Sequence, residues 1–177
     1  MDLSISPEEL LKRLEVDTPL FAADENGIFA ALNDKDSGVF FAVDRRTENF
    51  RWRVENVSGW AVAPPLIWQD LYIIGTSVAN MNRGKIRENL AEISWSRGGV
   101  CYAFDAMSGK MQFWDDRTGI IRKTPRIEFE TLVVEGEIRV GGFRHGEQWS
   151  ASGEIESTFD LPHGRLRGRR VKGSIPE

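Results

Sequence analysis

The chain reads as an all-β protein of about three four-stranded antiparallel units side by side, with one short helix in front. Three observations predict this. A motif recurs, spelled Ala42-Val43-Asp44-Arg45-Arg46-Thr47-Glu48-Asn49-Phe50-Arg51-Trp52, then Ala103-Phe104-Asp105-Ala106-Met107-Ser108-Gly109-Lys110-Met111-Gln112-Phe113-Trp114, and faintly Thr158-Phe159-Asp160-Leu161-Pro162-His163-Gly164-Arg165. Its aspartates stand 61 and then 55 residues apart, the length of four strands with their turns. The runs ahead of the first two aspartates are β-branched or aromatic, the composition of strands buried on both faces. One unit of this size cannot bury its own apolar face, so the units must stack as an array of blades.

Residues 1–17 predict the helix. Ser6 is a cap, Pro7 a first-turn proline and Glu9 the return partner of a capping box, with Ile5 and Leu10 as a hydrophobic staple. Leu10, Leu11 and Leu14 form one apolar stripe. So short a helix is marginal alone, so it docks on the first blade or on a partner.

Residues 18–57 form the first blade, with strands at 20–24, 28–32, 39–43 and 49–54 and a turn at Asp24-Glu25-Asn26-Gly27. Residues 58–119 form the second, with strands at 66–68, 71–75, 100–104 and 110–114 and a long loop at 76–98. Residues 120–177 form a degenerate third, with strands at 132–135, 138–141, 154–159 and 165–171, a turn at Glu135-Gly136 and a basic C-terminal edge. The stretch 119–130 reads as an extra edge strand. In each motif the Asp caps its turn through its side-chain oxygens. Gly109 and Gly164 supply the left-handed residue of the reversal, and Asn49 is expected to do so in the first copy.

Small-Φ-Asp-x-x-Thr/Ser-Gly-Lys-x-x-aromatic, preceded by Gly-Val-x-Φ, resembles the tryptophan-docking repeat of PQQ-like β-propellers. Residues 63–77 are similar to the paired inner strands before that motif. The likeness covers 64–114 well and 20–52 fairly; across 132–171 it is loose, with Gly168 where the docking aromatic belongs. It implies a partial β-propeller in which Ala42, Asp44 and Trp52, then Ala103, Asp105, Phe113 and Trp114, dock each blade on the next. It does not imply the quinone, and no cofactor is expected.

Closed propellers have roughly four to eight blades. Three would form an open fan whose apolar flanks need cover. A second copy closing a six-bladed ring, another protein subunit, or the helix and irregular segments could supply it. The expected partner is thus the chain itself or a different protein.

With 177 residues and 41% apolar content the chain can bury a sizeable core, and its net charge of -4 argues against a general nucleic-acid binder. The lone Cys101, inside a predicted strand, favours a reducing compartment, and no run of about 20 apolar residues spans a membrane, so a cytoplasmic location is expected.

Two long segments open on one rim with the Trp60 connector: 76–98 and 142–152. Ile86, Leu90 and Ile93 are spaced for a helical turn in the first. Trp60, Arg83, Arg87, Trp95, Arg144, His145 and Trp149 are the candidate partner-binding or ligand-binding residues, because Arg and Trp dominate binding hot spots. The competing reading is that the rings pack the loops and the cations are solvated; both stand at this point. No metal site is expected, since His145 and His163 lack ligands at zinc spacing, and no catalytic residue is assigned, since a strand-buried thiol is inert. Arg165 to Lys172 carries five cations and no acid. It is read as an edge strand guarded by charge in preference to a nucleic-acid patch, which remains open. Two functions follow: a noncatalytic interaction or assembly module, or a small-ligand receptor or enzyme with a pocket around Trp60, Trp95 and His145.

Overall fold

The computed structural model describes residues 6–34, 37–77, 94–95, 99–144 and 147–173. Helix α1 (Pro7–Arg13) is started by Ser6, whose Oγ accepts the Glu9 amide at 3.2 Å. The predicted staple residue Ile5 lies outside the described residues. The first sheet is a meander of β1 (Phe21–Ala23), β2 (Gly27–Asp34), β3 (Ser37–Asp44) and β4 (Asn49–Ser58). In the second, β5 (Trp60–Ala61) and β6 (Leu66–Trp68) both pair along β7 (Leu71–Ser77). After β8 (Ser94–Trp95), which joins the next sheet, it continues with β9 (Cys101–Asp105) and β10 (Met111–Asp115). In the third, β11 (Ile120–Ile121), β12 (Arg126–Glu128) and β8 line one edge of β13 (Thr131–Arg144). Its other edge takes β14 (Glu147–Asp160) and then β15 (Arg165–Gly173). The fold is all-β, three antiparallel blades with four core strands each and one short helix.

The third blade differs from the expectation. Residues 132–135 and 138–141 belong to one 14-residue strand, and the blade's inner strand is β12, within the stretch read as an extra edge. The reason is a repeat 60 residues long. Gly59 at φ 88° recurs as Gly119 at φ 74°. Trp60 faces Ser77 as Ile120 faces Glu137, and Leu66 faces Ile73 as Arg126 faces Val133. Gly136 marks no turn. A Cβ there would lie 1.8 Å from the Thr118 carbonyl oxygen, so it is a glycine of close backbone approach. Residues 142–152, read as a loop, continue the β13–β14 ladder to Arg144 opposite Glu147.

The motif turns share one geometry. The amides of Glu48, Gly109 and Gly164 donate to the carbonyls of Asp44, Asp105 and Asp160 at 2.9, 2.8 and 2.8 Å. Those three residues hold φ of 55°, 71° and 66°. The left-handed residue of the first copy is therefore Glu48; Asn49 instead donates its Nδ2 to the Thr47 carbonyl at 2.7 Å. Asp44 Oδ1 accepts the amides of Arg46 and Thr47, and Asp105 Oδ1 those of Met107 and Ser108. At Asp160 the first of the two matching donors would be Pro162, which has no N–H, and the carboxylate pairs with Arg167 at 3.0 Å. Each outer strand then carries a bulge at the same place, at Arg51, Gln112 and Arg167, and β4 has a second register shift, opposite Gly38 to Phe40.

Asp44 makes this turn pH-sensitive. The Arg51 side chain, 3.0 Å away, and next the turn amides lower its carboxyl from 3.8 to about 2. A depressed folded value means that the stabilisation is complete above the unfolded value and lost as pH falls through about 2. Asp44→Asn is expected to cost about 1–2 kcal/mol at pH 7 and to flatten the loss of stability between pH 4 and 2, read from urea midpoints.

Two internal interfaces hold the blades together. Between the first and second, Phe29, Ala31, Phe40, Ala42 and Trp52 pack on Tyr72, Ile74, Phe104 and Ala106. Tyr72 also donates its hydroxyl to the Ala30 carbonyl at 3.0 Å. Between the second and third, Ile73, Cys101, Ala103 and Phe113 pack on Leu132, Val134 and Phe159.

The expectation of two apolar flanks is corrected. Leu10 and Leu11 of α1 bury Ile28, Ala30, Phe41 and Val43 on the free face of the first blade. The free face of the third blade is charged.

Candidate functional site

That charged face follows from strand alternation. Leu132 and Val134 point toward the second blade, so Val133, Glu135 and Glu137 point away. Across the ladder Glu135 opposes Glu156 and Glu137 opposes Glu154, which places four carboxylates on the two central strands. Unlike charges from the repeat's connector answer them. Arg126 reaches Glu135 at 2.6 Å and Glu156 at 3.3 Å, Lys123 reaches Glu135 at 2.7 Å, and Arg122 reaches Glu137 at 3.1 Å. The Lys123 hydrogen bond, ahead of other causes, holds the Glu135 carboxyl below its ordinary value, and Glu135 in turn raises Lys123. A groove of about 210 Å³ runs over this network, lined among others by Arg122, Glu137, Glu154 and Lys172. Exposed pairs like these contribute little stability individually; their effect here is to keep the flank wet.

The rim residues divide. Trp60 lies in β5 of the second sheet, half-buried, its carbonyl accepting from Ser77 Oγ at 3.2 Å. Trp95 stands opposite Val140, Trp149 opposite Gly142 and Arg144 opposite Glu147, so the backbone gathers these three at one end of the third sheet. Arg83, Arg87 and His145 lie outside the described residues, as does the expected helical turn around Ile86, Leu90 and Ile93.

Of the docking residues, Ala42 and Trp52 lie in the first interface, and Ala103 and Phe113 in the second. Trp52 Nε1 donates to the Ala106 carbonyl at 2.9 Å, and Phe113 stacks on Phe159 at 6.2 Å. Trp114 does not share the role expected of it. It is 56% exposed, because neighbours along a strand face opposite ways. The flank network escaped the reading of the sequence. Its visible signals were the 60-residue recurrence and the alternation Glu135-x-Glu137 and Glu154-x-Glu156.

Cys101 is fully buried, and burial first, then Asp115, pushes its thiol up to about 12. In the folded protein at pH 8 a thiol reagent is expected to leave it unmodified, with full labelling only in denaturant. Labelling without denaturant at the rate of a free thiol would contradict the burial. Among the described residues no cluster of three metal-binding side chains occurs, and no helix is long and apolar enough to cross a membrane.

Stacked four-stranded blades, a ring docked over each following turn and a shared bulge define a partial β-propeller. No protein-family model matches the chain, and no curated protein sequence matches it. Solved structures do. A europium-containing methanol dehydrogenase superposes with a TM-score of 0.55 at 12% identity, over 85% of this chain and 24% of that one. The quinohemoprotein alcohol dehydrogenase from Comamonas testosteroni superposes with a TM-score of 0.53 at 14% identity, over 86% of this chain and 20% of that one. This chain thus spans a quarter or less of those proteins, and the likeness is one of fold.

Proposed function

We propose that this chain is a noncatalytic protein-interaction module, binding a partner protein through the rim where β8 meets the β13–β14 ladder. One observation carries the reading: β13 and β14 are 14 residues each, against 8 for β2 and β3 and 7 for β7. Residues 138–144, past the counterpart of Ser77, extend roughly 23 Å at about 3.3 Å per residue. Arg144 stands on that extension, with Trp95 of β8 and Trp149 of β14 opposite it, and Trp60, Arg83, Arg87 and His145 complete the contact set of this reading. A rigid scaffold presenting Trp and Arg at its rim suits protein recognition. Ring closure by two copies would bury charge on one flank and displace a helix on the other, so the partner of this reading is a different protein. The reading keeps the chain in a reducing, cytoplasmic compartment. The pocket reading gains no support, because Trp60 sits on a different sheet from Trp95 and the groove lies on the flank.

The test is affinity capture from the native host with the wild-type chain and a Trp95→Ala/Trp149→Ala variant whose circular dichroism is unchanged. The expected result is one retained protein that falls at least tenfold with the variant. Equal retention by both would remove the rim proposal.

A further inference from the structure

The three outermost strands occupy one position in three blades but differ in charge. On β4, Arg51 pairs with Asp44 and Arg53 with Glu55, and β10 has no basic residue. On β15 stand Arg165, Arg167, Arg169, Arg170 and Lys172 without an acid. Arg167 reaches Asp160 at 3.0 Å and Arg169 reaches Asp115 at 3.8 Å. For Arg165, Arg170 and Lys172 no ion pair occurs among the described residues. Among those residues β15 pairs with β14 alone, so its far edge has free backbone donors and acceptors.

The flank gives this edge a sequence of charge. Moving across the sheet, Arg126 on β12 is followed by Glu135 and Glu137 on β13, Glu156 and Glu154 on β14, then Arg170 and Lys172 on β15. The strand that would continue this order is acidic at alternate positions. Opposite charges directly across a sheet attract and like charges repel. A second β15 is refused on that ground, since pairing it would set two five-cation strands side by side.

We infer that the open edge of β15 takes up an extended acidic segment of a partner protein as an added strand. The backbone ladder would supply affinity. Carboxylates opposite Arg170 and Lys172 would set the register. Val171, 49% exposed, offers the apolar contact between them on the other face. A single-stranded nucleic acid fits less well, because β15 carries no aromatic ring for a base to stack on. The cations thus act selectively, closing the edge to copies of the chain and leaving it open to acidic strands.

The test uses a fluorescent decapeptide of alternating Val and Glu, titrated by anisotropy against the full chain at low salt. Binding is expected to weaken at least tenfold in Arg165→Gln/Arg170→Gln/Lys172→Gln, and the amides of β15 are expected to exchange more slowly with peptide bound. Arg170→Gln alone, which keeps the other cations, is expected to show a smaller loss and serves if the triple variant unfolds. Trp95→Ala/Trp149→Ala is expected to bind the peptide unchanged, which separates this edge from the rim. Three results would each overturn the inference: equal binding of a Val-Lys peptide, unchanged affinity in a folded variant, or displacement by a thymidine oligonucleotide at lower concentration than unlabelled peptide.

Discussion

Trp52→Ala is expected to lower the unfolding free energy by about 3–5 kcal/mol, measured by urea denaturation at pH 7. The ring belongs to the first blade but its partners belong to the second. It meets Tyr72 edge-on at 5.4 Å, stacks near Phe104 at 6.2 Å, and covers Gly109 so closely that a Cβ there would lie 2.7 Å from it. Its N–H donates to the carbonyl of buried Ala106 at 2.9 Å, so truncation opens a cavity and removes a hydrogen bond together. Trp52→Phe keeps most of the ring and is expected to cost about 1–3 kcal/mol, the share belonging to the lost donor and the smaller volume. Typical domains have roughly 5–15 kcal/mol in total, so the alanine variant should be near its limit. A cost below about 1 kcal/mol would show that the blades are held by their aliphatic and Tyr72 contacts instead.

Much of this was legible in the sequence, for a physical reason. Trp52, Asp44, Asp105 and Gly109 are each demanded by a local geometry that few side chains satisfy, so they recur and can be aligned. The strands of the first two blades were legible likewise, because 39–43 and 100–104 are buried on both faces and stay apolar throughout. The third blade was not. Its central strands are buried on one face and charged on the other, so β13 reads Leu132-Val133-Val134-Glu135-Gly136-Glu137-Ile138, and the Gly between two acids imitates a turn. The connector that anchors it, 119–128, keeps only Gly119, Pro125 and Ile127 of 59–68, because in the third blade Arg122, Lys123, Thr124 and Glu128 face water and only part of the segment, with Ile121 and Ile127, packs inward. Of the candidate rim, the residue types were visible. That Trp95 pairs into the third sheet while Trp60 stays in the second was not, because a two-residue strand far from its partner leaves no periodic trace.

The flanks give the number of blades a chemical basis. Each internal interface joins a ring on one outer strand to a glycine turn on the next, and that arrangement is missing at both ends. In the first blade the turn position holds Glu48, met by Arg13 of α1 at 3.4 Å; in the third the ring position holds Gly168. One flank is covered by Leu10 and Leu11 and the other is occupied by ion pairs, so neither presents the apolar surface that stacks the internal blades.

The same comparison predicts opposite signs for substitutions at one motif position. In Gly164→Ala the new Cβ would lie 2.1 Å from Phe113 Cγ and 2.3 Å from Cδ2, and the residue would have to keep φ near 66°. Phe113 cannot yield easily, because it is stacked on Phe159 within the interface. Overpacking of about 1–3 kcal/mol and left-handed strain of about 1–2 kcal/mol together give a loss of roughly 2–5 kcal/mol. At Glu48 the backbone strain is already present, the side chain is 44% exposed, and its Arg13 contact is exposed too. Glu48→Gly therefore removes about 1–2 kcal/mol of strain and returns about 0.5–1 kcal/mol through the freer unfolded chain, leaving a net stabilisation of about 0–1.5 kcal/mol. Thermal and urea unfolding of the two variants decide the matter. If Gly164→Ala were as stable as the wild type, the ring would not be pinned to the turn; if Glu48→Gly were strongly destabilised, the Arg13 contact would hold the helix more firmly than its exposure allows.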